Sequence, residues 1–295
     1  MQNPPAPVLA TLPDGAGTRF FFVVTLAATW ALGLPAVLAR VGVIAGPVER
    51  YLFFIALGGL APLMVAVLAS YRGAGRPGIR ALFRPAPPRR PGARWIVVAL
   101  LLFGAIHVTG MAVFRALGGA VPQWLFPPEN AEQMTAMLLF PLAEEPGWRG
   151  FALPRLQARV GPLRASLIVG VAWAAWHTMM FVLQGMTPLL FAVAVVNILA
   201  GSFVFTWLYN RSGGSLLVAV VAHVGVHLDN PAHALPDHPA PFVVFTVALC
   251  FVAGVLVLAD RKAWRRSGIG SWGHNRRLRA ASGKAFLERG CASSS

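Results

Sequence analysis

Residues 137–153 read MLLFPLAEEPGWRGFAL. Inside this apolar run stand two adjacent carboxylates, Glu144 and Glu145, and a guanidinium, Arg149. A charge near the centre of a bilayer costs a few kcal/mol or more, so an ionisable group at that depth is a functional-site hypothesis by default. Three charges within six residues of one span are hard to account for as packing.

The chain around this stretch has the composition of a membrane protein. It is 57% hydrophobic and only 12% charged, with a mean hydropathy of +0.65, whereas a soluble domain carries about a quarter charged residues. Apolar runs long enough to span a bilayer recur at roughly 20–39, 51–70, 95–117, 132–155, 165–183, 188–209, 213–229 and 241–260. The expected fold class is therefore all-α, a polytopic membrane protein of about eight transmembrane helices around a polar intramembrane cavity. The organisation expected is a leader at 1–19, N-terminal transmembrane helices at 20–129, a core at 130–230, a last transmembrane helix at 231–260 and a basic tail at 261–295. The first run exceeds the usual signal-peptide core of about 7–15 residues and is read as a retained helix. Cys250 and Cys291 imply no disulfide framework.

Charge placement orients the spans. The net charge is +15, and the basic residues lie between apolar runs, which points to an anionic leaflet and away from nucleic acid. Loop 71–94 carries seven Arg and no acid, and the tail after Asp260 carries nine Lys or Arg. Loops 118–131, 184–187 and 230–240 carry none. The positive-inside rule then places both termini in the cytoplasm of a cell-membrane protein. Arg40 and Arg50, in an outer loop, are the exception. The helical rise sets Glu144, His177, His223 and His227 about 15–21 Å from their cytoplasmic helix ends, near the midplane. Asn197 and His107 share that level.

These residues fit one chemistry. Glu145 and Arg149 are four apart and can pair, in the favourable acid-before-base order. Glu144 is then left to take a proton from water as a general base. His223 and His227, also four apart, stack on one helix face and can stabilise an oxyanion. The same set, Glu144, His177, His223 and His227, could instead hold a divalent metal such as zinc, which would activate the water. Pro141, Pro146, Gly147, Gly150 and Pro154 crowd the charged helix, which is expected to break around a water-filled cavity.

The pattern resembles the CPBP family of CaaX-processing and bacteriocin-processing intramembrane proteases, which includes the type II CaaX prenyl endopeptidases. EEPGWRG fits that family's E-E-x-x-x-R motif, Trp173 to His177 its aromatic-x-x-x-His motif, and His223 to His227 its His-x-x-x-polar motif. The resemblance covers about residues 130–230. It implies an endopeptidase acting on a membrane-associated protein or peptide, CaaX-type or other. Glu144 would be the catalytic glutamate, His177 its partner in activating water, and His223 with His227 the oxyanion pair. Glu145 and Arg149 would complete the first motif. Trp173 stands where phenylalanine is commoner, and His227 where asparagine is.

Blander readings stand beside this one. A midplane histidine is often an interhelical hydrogen-bonder, the reading given to His107. Asn197 is either helix-to-helix glue or a site-lining amide, and Trp173 either packing or site lining. Asp229, Asn230, His233, Asp237 and His238 read as a solvated outer loop. Trp124 and Phe126 read as interfacial anchors, as does Trp264 on the other side. Two other functions compete: a non-catalytic immunity or adaptor protein of the same family, and a transporter using a Glu/His relay.

Overall fold

The computed structural model describes residues 14–83, 92–121, 123–230 and 239–265. Every regular element among them is helical, as a chain must be when lipid offers no partner to its backbone. Helix α1 is Asp14–Arg40, six residues longer at its start than the apolar run. A 3-10 turn, Val48–Tyr51, leads into α2 (Leu52–Gly59) and then α3 (Ala61–Phe83), followed by α4 (Ala93–Ala116). Helix α5 (Ala131–Glu145) runs through a π-helical segment, Pro146–Ala152, into α6 (Leu153–Val160). Then come α7 (Pro162–Leu183), α8 (Pro188–Arg211), α9 (Leu216–Leu228) and α10 (Pro239–Ala259).

All eight expected spans are thus helical, and among the described residues six stretches are long and apolar enough to cross a membrane. The protein is a multi-pass, all-α membrane protein. The two segments that fall short are the two richest in polar motif residues. Helix α5 ends on the acidic pair, and the rod it opens continues to Val160, so this segment falls short through its charges and not its length. Helix α9 has 13 residues, about 20 Å of rise against a hydrocarbon core of about 30 Å. Both are started by side-chain caps. Asn130 Oδ1 accepts from the Gln133 N–H at 2.9 Å while Gln133 Oε1 accepts from the Glu129 N–H at 2.8 Å, and Ser215 Oγ accepts from the Val218 N–H at 3.3 Å.

The helices pack in a closed order: α1 on α7, α7 on α8, α8 on α10, α10 on α4, α4 on α9, α9 on α5, α5 on α3, and α3 back on α1. The π-helical segment touches α1, α3, α6, α7 and α9, and Trp148, Arg149, Phe151 and Ala152 within it are buried. Small residues allow the closest approaches, as lipid-solvated helix interfaces require. A Cβ on Gly225 would lie 2.5 Å from the Leu100 carbonyl oxygen and 2.9 Å from that of Ala99. One on Gly147 would lie 2.7 Å from the Pro62 oxygen.

Four expectations need correction. The Pro/Gly-rich stretch does not break the helix: the missing proline N–H is absorbed by a wider π turn, and the rod continues. The basic segment after residue 70 is not simply a loop, because α3 runs to Phe83 through a kink at Ala74 and Gly75, where Gly75 adopts φ +60°. Asp229 is not solvated. It is 7% exposed, its Oδ2 lies 2.6 Å from His107 Nδ1, and its Oδ1 accepts from the Phe126 N–H at 2.7 Å. Phe126 is correspondingly buried against the His107 ring and is not an interfacial anchor. His107 is the interhelical bonder expected of it, whereas His233, Asp237 and His238 lie outside the described residues. Arg40, the misfit in the charge pattern, donates from Nε to the Leu183 carbonyl at 3.2 Å and so satisfies the end of α7.

Replacing Gly225 by alanine should push α9 away from the α4 backbone, since the obstructing atoms are main-chain. Overpacking of this kind costs about 1–3 kcal/mol. A thermal melt in detergent is expected to show a clear fall in midpoint, and a midpoint equal to wild type would contradict the α4–α9 packing described.

Candidate active site

The helical periodicity separates the two adjacent glutamates. Successive residues project about 100° apart around a helix axis, so Glu144 and Glu145 meet different neighbours. Glu145 Oε1 accepts from Arg149 Nη1 at 2.8 Å, the pairing expected from their spacing. The same oxygen lies 2.8 Å from Nδ1 of His223, which reaches it from α9. With Arg149 on that oxygen, Glu145 is the acceptor and His223 the donor. Glu145 and Arg149 are both completely buried.

Arg149 is held by aromatic faces as well as by its carboxylate. Its Cζ sits 4.1 Å from the centroid of the Trp173 ring on α7 and 4.2 Å from that of Phe205 on α8. A desolvated guanidinium between two such faces gains about 2 kcal/mol or more from each contact. This explains how a charge can stay in the middle of the bundle. Phe205 carried no signal in the sequence, because one phenylalanine in an apolar span looks like any other.

Glu144, 3% exposed, turns instead towards α7, where Trp173 Nε1–H donates to its Oε2 at 2.7 Å. His177, one turn along α7, is half-buried and lies 2.9 Å through Nδ1 from the Trp173 carbonyl oxygen. A carbonyl can only accept, so Nδ1 bears the proton and Nε2 presents a lone pair. The same reasoning gives neutral His223 a lone pair at Nε2, since its Nδ1–H goes to Glu145. His223 and His227 are stacked at 5.1 Å between centroids and 14° between planes, on one face of α9 as their spacing requires. The Trp173 ring is edge-on to both His177 and His223, at 5.5 and 5.6 Å.

Six of the eight expected residues thus form one connected set on α5, the π segment, α7 and α9: Glu144, Glu145, Arg149, Trp173, His177 and His223, with His227 stacked on its edge. Asn197 is engaged elsewhere, donating from Nδ2 to Thr246 Oγ1 at 3.0 Å between α8 and α10. Among the described residues no three His, Cys, Asp or Glu side chains are grouped to hold one metal ion. The role of Trp173 as a donor was the feature least expected. Its signal lay in the sequence: a buried indole N–H usually finds an acceptor, and Trp173 stands four residues before His177, on the same helix face.

Residues 131–229 match the model of the family described as type II CAAX prenyl endopeptidase Rce1-like. A curated protein of Methanococcus maripaludis named CAAX prenyl protease 2 is 25% identical over 181 residues, covering 57% of this chain and 66% of that protein. The chain therefore spans just under two thirds of that relative's length.

Removing Arg149 alone should be far worse than removing the pair. Arg149→Met leaves a buried carboxylate without its cation, at a cost of about 3–5 kcal/mol. The double variant Glu145→Leu with Arg149→Met replaces both charges by apolar groups and is expected to recover part of that loss. Denaturant titration in mixed micelles reads the difference. A single variant no less stable than the double would contradict the pairing.

Proposed function

Since the chain belongs to the CPBP family through its Rce1-like type II CAAX prenyl endopeptidase segment, we propose that it is an intramembrane endopeptidase. Its substrate is a membrane-associated protein or peptide, and the attacking nucleophile is water. The observation that carries this reading is the division of labour between the two glutamates. Glu145 is tied to Arg149 and His223, whereas Glu144 is bonded to the neutral Trp173 indole.

In the proposed step, a water bound between Glu144 and the Nε2 lone pair of His177 attacks the scissile carbonyl carbon. Its oxygen forms the new C–O bond while Glu144 takes a proton, as a general base must. His227 donates to the oxyanion of the tetrahedral intermediate, where such a donor acts strongly because water is excluded, and His223, stacked on it at 5.1 Å, orients its ring. The C–N bond then breaks, and the proton held by Glu144 passes to the leaving amine. Glu145 and Arg149 keep His223 in place. The basic segments 71–94 and 261–295 orient both termini to the cytoplasm, which sets the side from which a substrate's tail would enter.

Purified protein incubated with membrane-anchored peptides, prenylated and unprenylated, tests the reading. Wild type is expected to cleave, and Glu144→Ala to lose about a hundred- to ten-thousandfold in rate while melting as wild type does. Full activity in Glu144→Ala would refute the assignment. A chelator is expected to leave the rate unchanged. Loss of activity on chelation with recovery on adding zinc would assign the water to a metal instead.

A further inference from the structure

Trp173 touches both groups to which the water step is assigned, through two different parts of itself. Its indole Nε1–H donates to Glu144 Oε2 at 2.7 Å, and its main-chain oxygen accepts from His177 Nδ1 at 2.9 Å. An indole nitrogen is a donor only. It therefore marks Oε2 as the accepting oxygen and leaves Oε1 as the one that can take a proton. The main-chain contact fixes the tautomer of His177, leaving its Nε2 lone pair for water.

The ring cannot readily turn away from this duty. Trp173 is 5% exposed, the Arg149 guanidinium lies over its face at 4.1 Å, and Phe205 meets it edge-on at 5.6 Å. Arg149 gives Nη1 to Glu145, not to Glu144, so the donor set against Glu144 Oε2 is the Trp173 indole. The buried ion pair thus clamps the tryptophan, and the tryptophan in turn aims the second carboxylate.

We infer that Trp173 is a positioning residue of the active site, orienting Glu144 through its indole N–H beyond any contribution from packing. This rests on the reading of Glu144 as the base that activates water. Phenylalanine separates the two roles, because it keeps a ring for Arg149, Phe205, His177 and His223 but has no N–H to give.

The full-length protein in detergent or liposomes is assayed as wild type and as Trp173→Phe. The expected result is a fall in kcat of about ten- to a hundredfold, the worth of a hydrogen bond to a charged group, with KM and the melting midpoint near wild type. An unchanged kcat would overturn the inference, as would a kcat that falls only in step with the folded fraction. A second readout does not depend on turnover. In protein labelled with 15N at the indole nitrogen, one indole N–H resonance, absent from Trp173→Phe, should lie downfield and move upfield in Glu144→Ala. If no indole resonance moves in that way, the hydrogen bond is absent and the inference fails, even where Trp173→Phe does not fold. A wild type that cleaves nothing would count against the protease reading, while the indole shift would still decide the contact.

Discussion

The buried pair of Glu145 and Arg149 is the constraint on which the rest of the site depends. Two charges removed from water are costly, the more so because Arg149 Nε and Nη2 and Glu145 Oε2 make no hydrogen bond. Here the 2.8 Å contact is reinforced by His223 on the same carboxylate oxygen and by the faces of Trp173 and Phe205 over the guanidinium. These supports come from α7, α8 and α9, so a single ion pair recruits three further helices. The π-helical segment makes room for it. A wider turn at Pro146–Ala152 carries Arg149 into the bundle without breaking the rod that holds the acidic pair.

From that node the chemistry of the neighbouring residue follows. Adjacent positions on a helix face different directions, so a carboxylate placed next to a fully engaged one is left to another environment. Glu144 accepts from an indole donor, while the guanidinium gives its Nη1 to Glu145. A base that must accept a proton from water is better served by a neutral donor than by a guanidinium that would hold its charge fast. The tautomers of His177 and His223, set by a carbonyl and a carboxylate respectively, give both rings a lone pair at Nε2. Short helices fit the same plan. Helix α9 is too short to cross a bilayer by its own length, which suits an element whose task is to present His223 and His227 within the bundle.

Much of this was legible in the chain. Eight apolar runs gave the helices, because hydropathy over about twenty residues reports directly on what lipid will accept. The four-residue spacings of Glu145 with Arg149 and of His223 with His227 gave two contacts, because helical geometry acts locally. What stayed hidden was set by tertiary neighbours. The π turn depends on how Gly147 seats against Pro62, and nothing local distinguishes it from a proline kink. Asp229 looked like loop because its partner, His107, lies far away in sequence on α4. Arg40 broke the charge rule because it serves the carbonyl end of α7 rather than a membrane surface. Trp173 was legible as an aromatic but not as a donor, since a donor is defined by the acceptor opposite it.

The central claim is that two adjacent glutamates have separate duties, one structural and one chemical. The most direct test measures Glu144→Gln and Glu145→Gln side by side, each for peptide cleavage and for melting midpoint in the same detergent. The account predicts that Glu144→Gln is inactive yet melts at or above wild type, whereas Glu145→Gln melts clearly lower because Arg149 loses its counter-charge. Equal destabilisation by the two substitutions, or cleavage surviving in Glu144→Gln, would contradict it.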